Sequence, residues 1–121
     1  MPRKTMSLRP DARDALRVLG GEIKRARLAR DWSVVDTAAR VGVSPMTYAG
    51  VERGLGGTAI GTVFNAASIL GVPLFGTTDA VEIARLRRSG ERDMGLLRTR
   101  ASGSRKRTPV SRAGRVDGYP E

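Results

Sequence analysis

Apolar residues recur at helical spacing along most of the first 90 positions, and this pattern predicts a series of short α-helices. A first helix is expected from Pro10 to Arg30, weakened by the pair Gly20–Gly21. One side of this helix carries Leu16, Leu19, Ile23 and Ala26. We expect that side to pack into the core of the domain.

Two further helices are predicted at the centre of the chain, separated by a tight turn. Ser33 can cap the first of them, and Ser44, followed by Pro45, can cap and open the second. Gly42 lies between them, where a helix must end with a positive φ. The expected inward positions are Thr37, Ala38, Val41, Tyr48 and Val51. Such a pair of helices, joined at a steep angle, can present its second helix to the major groove of DNA.

Two more helices are predicted after this pair. The fourth helix follows the glycine-rich loop 54–57, is capped by Thr58 and ends at Gly71. Its apolar stripe consists of Ile60, Val63, Phe64, Ala67 and Leu70. The fifth helix is expected to start near Asp79 and to fade by Ser89 and Gly90. A small apolar island follows at Met94, Leu96 and Leu97.

The net charge favours a nucleic-acid partner. The 121 residues carry a formal charge of +10, and the isoelectric point is about 11.4. Arginine outnumbers lysine 19 to 3, which favours bidentate contacts with phosphate or guanine over diffuse attraction. A basic protein with no nucleic-acid role has the same composition, so charge alone does not decide between the two.

The distribution of charge divides the chain into three parts. Residues 1–9 predict a flexible basic arm, residues 10–90 a helix-turn-helix domain, and residues 91–121 a basic tail that is expected to be disordered. Within the tail, Arg105, Lys106 and Arg107 form the densest cluster and are the best candidates for a phosphate clamp. A solvated end that only aids solubility explains the same composition equally well.

The composition offers no catalytic site, metal site or cofactor site. The sequence holds no cysteine, no histidine and no pair of carboxylates on one face. The glycine run 54–61 lacks the Gly-Lys-Ser/Thr of a nucleotide-binding loop. No signal peptide and no apolar run of membrane-spanning length is seen, so we expect a cytoplasmic, nucleoid-associated protein that is not an enzyme and has no membrane partner.

A set of residues between positions 17 and 76 forms a further pattern. Its members are Leu19-Gly20, Ile23, Arg27, Ser33, Ala38, Gly42-Val43-Ser44, Thr47, Val51-Glu52-Arg53-Gly54 and Leu70-Gly71-Val72. With this set the chain resembles the Cro/cI (XRE-type) helix-turn-helix family. The resemblance implies an all-α, compact four- to five-helix (lambda repressor-like) domain with flexible basic termini. It also implies a transcriptional regulator, a repressor, that binds double-stranded DNA as a homodimer.

Two structural roles follow for individual residues. The resemblance implies that Glu52 pairs with Arg27 as an exposed brace between the first and third helices, worth under about 1 kcal/mol. Trp32 precedes the capping Ser33 and is expected to pack on the core as a hydrophobic staple.

Residues 60–75 also resemble the HipB-like antitoxins, which implies a HipA-like kinase toxin as a further partner.

The resemblance implies that the recognition helix runs from Ser44 to Gly54. Its outward positions are expected to be Pro45, Met46, Ala49 and Gly50, and none of these side chains can donate a hydrogen bond to a base. Met46 and Ala49 can pack on a thymine methyl group. The full set of predicted DNA-binding residues is Ser33, Arg40, Ser44, Pro45, Met46, Thr47, Ala49, Gly50, Arg53, Arg105, Lys106 and Arg107.

Two functions remain open for such a helix. In the first, phosphate contacts from arginines dominate binding and the sequence is read through DNA shape. In the second, the chain is a protein-interaction module that neutralises a partner protein, with weak or non-specific DNA binding. The apolar islands 72–75 and 94–97 would then form the contact surface.

Overall fold

The computed structural model describes residues 7–103, and within them it contains five α-helices and no extended strand. Their bounds are α1 Pro10–Ala29, α2 Val34–Val41, α3 Pro45–Arg53, α4 Ile60–Leu70 and α5 Ala80–Gly103. The predicted all-α class is confirmed. The predicted first, second and third helices each agree with the structure to within about one residue.

The chemistry of single residues fixes the ends of α2 and α3. The Ser33 hydroxyl accepts a hydrogen bond from the Asp36 amide at 3.0 Å, and the Ser44 hydroxyl accepts one from the Thr47 amide at 3.1 Å. Gly42 ends α2 with φ 91°. These caps confirm the predicted helix-turn-helix boundaries, because each satisfies backbone groups that the helix itself leaves unpaired.

The core lies where α1, α2, α3 and α4 meet. Ile23, Ala38, Tyr48, Ala66 and Ala67 are completely buried there. The predicted inward residues of α2 and α3 are all buried. On α1, Ile23 is buried, and Leu19 and Ala26 pack against the core. The helical spacing of apolar residues therefore located most of the core.

The start of α4 differs from the prediction. Ile60 is 72% exposed, because it is the first residue of the helix and lies beyond its neighbours. The buried stripe begins one turn later and consists of Val63, Ala66, Ala67 and Leu70. The residue that caps α4 is Ala59, with no side-chain hydrogen bond, so the predicted cap at Thr58 is wrong. Phe64 lies at the edge of the core and meets Phe75 edge to face, with ring centroids 6.2 Å apart.

The last helix is longer than predicted. It passes through Ser89 and Gly90 and continues to Gly103, so residues 91–103 of the predicted tail are helical. One internal glycine costs a helix about 1 kcal/mol, and the surrounding arginine, glutamate and leucine residues favour helix. Ion pairs between Glu82 and Arg85 and between Arg87 and Glu91 add support. The predicted end of the domain at position 90 therefore falls inside this helix. The contacts divide the chain elsewhere, into one compact unit that ends at Ala80 and a second that begins at Val81.

The ends of the chain bear on two predictions. Residues 1–6 and 104–121 lie outside the described residues, and with them most of the predicted arm 1–9 and the cluster Arg105, Lys106 and Arg107. Leu8 is half-buried, and its side chain occupies the space beside Gly56. The arm therefore contacts the loop between α3 and α4 at this residue.

Candidate nucleic-acid interface

The surface of α3 shows which predicted recognition residues are accessible. Pro45, Met46 and Thr47 are exposed, with Met46 at 82%, and Ala49 is half-buried. Gly50 is buried, contrary to the prediction that it faces outward. A Cβ atom at Gly50 would lie 3.3 Å from Leu55 Cδ1 and 3.6 Å from the Thr58 hydroxyl oxygen. The loop after α3 thus folds back over this position, which helical periodicity alone does not show.

Leu55 and the loop that folds back over Gly50 form a shallow groove along α3. It has a volume of about 320 Å³ and is lined by Met46, Thr47, Gly50, Leu55, Gly57 and Thr58. Sequence reasoning missed Leu55 and Thr58 as groove residues. Gly50 is the one residue of the sequence that could have indicated these groove residues, because a glycine within a recognition helix leaves space for a neighbouring backbone or a ligand.

The two hydroxyl groups at the start of α3 are hydrogen-bonded to each other. Ser44 donates to the Thr47 hydroxyl oxygen at 3.0 Å while it accepts from the Thr47 amide. The proton of Ser44 is therefore used within the helix cap. The hydroxyl proton of Thr47 remains free to be donated to a base or a phosphate. Thr47 is thus the better hydrogen-bond donor of this pair.

Arg40 lies above the ring of Trp32, with its guanidinium carbon 4.0 Å from the ring centroid. Arg30 lies 5.5 Å from the same ring. Trp32 also packs against the core, as predicted. Stacking restricts the guanidinium of Arg40, and its N–H groups remain available at the edge of the plane for an anion. Ser33 is exposed next to this stack and caps α2 with its hydroxyl oxygen.

A buried hydrogen-bond network holds α3 against α1. The Arg27 guanidinium donates to both Glu52 carboxylate oxygens, from Nε at 2.5 Å and from Nη2 at 3.1 Å. It also donates to the Trp32 carbonyl at 2.9 Å, and the Tyr48 hydroxyl donates to Glu52 at 2.5 Å. The Arg27 and Glu52 side chains are 9% and 8% exposed. The predicted pair is present, but the expectation that it is exposed is wrong.

The protonation of this network follows from its contacts. Burial alone would raise the pKa of Glu52, but hydrogen bonds from Arg27 and Tyr48 outweigh it and lower the pKa below its ordinary 4.5. The hydrogen bond to Glu52 raises the pKa of Arg27. Burial and the hydrogen bond to Glu52 raise the pKa of Tyr48 far above its ordinary 10.0. Near neutral pH the network therefore contains one carboxylate, one guanidinium and one neutral phenol.

Arg53 lies at the other end of α3 and is exposed. Together with Arg13 and Arg17 of α1 it lines a second, open cavity of about 340 Å³. Sequence reasoning named Arg53 but not its two neighbours, because their proximity depends on how α1 packs against α3.

Residues 7–103 offer neither a metal site of acidic, histidine or cysteine side chains nor a helix that could span a membrane. In that range the structure contains no group of three or more carboxylates, histidines or cysteines placed to hold a metal ion. None of the helices in the same range combines the length and apolar character that crossing a membrane requires.

A known protein family matches the central part of the chain. A family model described as helix-turn-helix matches residues 23–76, from the middle of α1 to the turn that follows α4. The matched segment includes both caps, the turn at Gly42, and the Arg27–Glu52 network.

Three mycobacterial proteins are similar to this chain. They are uncharacterized HTH-type transcriptional regulators of Mycobacterium bovis and of two strains of Mycobacterium tuberculosis. Each is 37% identical over 97 residues, which is 80% of this chain and 36% of the relative. The chain therefore spans about a third of the length of these curated relatives. No solved structure matches the chain.

Proposed function

Because residues 23–76 belong to the helix-turn-helix family, of the Cro/cI type that the sequence predicted, we propose that the chain is a transcriptional regulator that binds double-stranded DNA with α3. The observation that carries this proposal is the exposed start of α3. The side chains of Met46 and Thr47 at the start of α3 are exposed. The end of α3 is held against α1 by the ion pair between Glu52 and Arg27.

We propose that reading of bases depends on few polar contacts. Thr47 supplies a hydroxyl donor, and the groove beside Met46 and Leu55 accepts the methyl group of a thymine. Backbone phosphates are bound by Arg40 and Arg53 and by the hydroxyl group of Ser33. The cluster Arg105, Lys106 and Arg107, which lies outside the described residues, adds sequence-independent attraction.

We propose that the regulator acts as a homodimer and represses transcription in the cytoplasm, at the nucleoid. One short recognition helix buries too little surface for tight and specific binding, and a second copy doubles it. Exposed apolar side chains on α5 support self-association, among them Leu86, Met94 and Leu97. Their spacing places them on one face of the helix.

A second candidate function is neutralisation of a partner protein, with a HipA-like kinase toxin as the partner that the antitoxin resemblance suggests. The observation that favours it is the exposure of apolar side chains at Phe75, Met94, Leu96 and Leu97. Apolar side chains that are exposed next to each other, as Met94 and Leu97 are on α5, are typical of surfaces that bind another protein. In this case DNA binding would be weak and non-specific.

The two functions are separated by a binding assay on the full chain. A duplex selected from a random library is compared with a scrambled duplex of the same length and composition while the salt concentration is raised. A preference for the selected duplex that persists at physiological salt supports the DNA-binding regulator. Equal affinity for both duplexes, falling steeply with salt, contradicts it and favours the partner-neutralising function.

A further inference from the structure

The open cavity between α1 and the end of α3 is lined by three arginines. Arg13 and Arg17 come from α1 and Arg53 is the last residue of α3. The remaining lining includes Ser7 and Leu8. With a volume of about 340 Å³, the cavity can hold a small anionic group together with its nearest atoms.

The packing of α1 against α3 brings the three arginines together. Arg13 and Arg17 are four residues apart and so lie on the same face of α1. Gly54 has φ 69°, and a Cβ atom there would lie only 2.8 Å from the Leu16 carbonyl oxygen and 2.9 Å from the Arg17 amide nitrogen. The end of α3 therefore lies directly on the backbone of α1, which brings Arg53 next to Arg17.

The charges of these arginines are uncompensated within the described residues. The lining of the cavity contains no acidic side chain. None of the three forms an ion pair or a side-chain hydrogen bond with a described residue, whereas Arg9, Arg27, Arg85 and Arg87 each pair with a carboxylate. Three like charges around one cavity repel each other, and an anion bound among them would remove that repulsion.

We propose that this cavity is a phosphate-binding site. The planar fork of a guanidinium matches two oxygens of a phosphate, and the Ser7 hydroxyl adds a further donor. Leu55 lines both this cavity and the groove along α3, so the two are adjacent. DNA that occupies the groove would bring one of its backbone phosphates to the arginines. For a phosphate that comes from DNA, the inference rests on the proposed function. A free phosphorylated molecule presents the same chemistry.

The first test uses DNA. The double variant Arg13→Gln/Arg17→Gln is compared with Arg25→Gln/Arg88→Gln, which removes two charges from exposed arginines outside the cavity. The salt dependence of binding to the selected duplex is measured for both. We expect the first variant to lower the slope of log K against log salt by about 1 to 2, and the control to leave it nearly unchanged. Unchanged thermal unfolding shows that both variants fold.

The second test uses inorganic phosphate alone. The full chain is titrated with phosphate at constant ionic strength, and the Nε–H signals of Arg13, Arg17 and Arg53 are followed by NMR. Shifts at these three signals but not at Arg25 support the site. If these shifts occur while the two double variants bind DNA with equal salt dependence, the cavity binds the phosphate of a free phosphorylated molecule and not that of DNA. If DNA slopes are equal and phosphate shifts no arginine signal selectively, the proposal is overturned. Should the wild type fail to bind DNA, the proposed function fails and the phosphate titration alone decides.

Discussion

Glu52 receives hydrogen bonds from two side chains on different helices, and this makes it the residue on which the position of α3 depends. Arg27 approaches it from α1 and Tyr48 from one turn earlier on α3. A buried ion pair contributes little net stability, because desolvation of both charges offsets their attraction. Its contribution here is the orientation of α3, since both carboxylate oxygens are held in one geometry.

Removal of one member of the Arg27–Glu52 pair should lower the free energy of unfolding by more than the intact pair contributes to it. We expect Glu52→Gln to lower the free energy of unfolding by roughly 3–5 kcal/mol, because it leaves the Arg27 charge buried without a counterion. Tyr48→Phe should cost about 1.5–3 kcal/mol through the lost hydrogen bond to a charged group. Unfolding in urea measures both. The control Asp11→Asn breaks an ion pair whose side chains are 83% and 76% exposed, and it should lower the free energy of unfolding by less than about 1 kcal/mol.

The same network predicts how stability depends on pH. Because the folded pKa of Glu52 is lowered, its contribution is present above its ordinary 4.5 and is lost as pH falls through the folded value. Because the folded pKa of Tyr48 is raised, its contribution is present below its ordinary 10.0 and is lost as pH rises above it. In unfolding experiments from pH 3 to pH 11, Tyr48→Phe should remove part of the alkaline decline. An alkaline limb identical to wild type would contradict this assignment.

Recognition of a thymine methyl group is tested by changing the DNA. Replacement of thymine by deoxyuridine keeps base pairing and backbone charge and removes only the methyl group. A methyl group that enters the groove beside Gly50 and Leu55 contributes about 0.8 kcal/mol, so each loss should weaken specific binding roughly fourfold. Binding to the scrambled duplex should not change. Equal affinity for the selected duplex with and without methyl groups would exclude this readout.

At the scale of helices, the contact between α1 and α3 depends on one of two adjacent glycines. A Cβ atom at Gly20 would lie 2.6 Å from the backbone oxygens of both Val51 and Glu52. A Cβ atom at Gly21 would meet only the guanidinium of Arg25, at 3.9 Å. The sequence showed a glycine pair that weakens a helix. The structure shows that Gly20 permits the close approach of α3.

This difference provides a matched pair of variants. Gly20→Ala must separate α1 from α3 and is expected to cost about 1–3 kcal/mol by overpacking. Gly21→Ala adds helix propensity in open space and should stabilise the fold by up to about 1 kcal/mol. Thermal unfolding of the two variants tests the packing directly. A Gly20→Ala variant that is as stable as Gly21→Ala would show that α1 and α3 do not approach closely at this position.

Local chemistry explains which helix boundaries could be predicted. The ends at Ser33, Gly42 and Ser44 depend on each residue's own hydrogen bonds and φ, which the sequence determines directly. The end of the last helix depends on the summed helix propensity of many residues, which outweighs the single glycine at position 90. Ile60 fits the helical period of the α4 stripe but is exposed, because the period does not specify which turn of the helix meets a neighbour.

At the scale of the whole molecule, the candidate site could be predicted only in part. The exposure of Met46 and Thr47 followed from helical geometry. The burial of Gly50 depends on the loop that returns over α3, and the proximity of Arg13 to Arg53 depends on the packing of α1. Contacts between residues distant in sequence arise only in the folded chain, so no local sequence pattern predicts them.

Self-association is the property of the whole molecule on which a two-half-site mode of binding depends. On α5, the residues Ile83, Leu86, Gly90, Met94 and Leu97 recur at intervals of three and four and share one face. Val81 and Leu96 are 72% and 66% exposed and lie outside this face. A second copy of the chain that packs on the first face would bury its leucines and methionine.

We therefore expect Leu86→Gln/Leu97→Gln to convert a dimer to a monomer, because each substitution places an amide in an apolar contact. Val81→Gln/Leu96→Gln changes two apolar side chains that are more exposed but lie outside that face, and it should leave the dimer intact. Sedimentation equilibrium gives the mass of each variant, and binding to one or two half-sites gives the consequence for DNA. The monomeric variant should keep its affinity for a single half-site and lose the gain from the second. Dimers of equal stability in both variants would show that α5 is not the contact, and a partner protein would then become the better explanation of its apolar face.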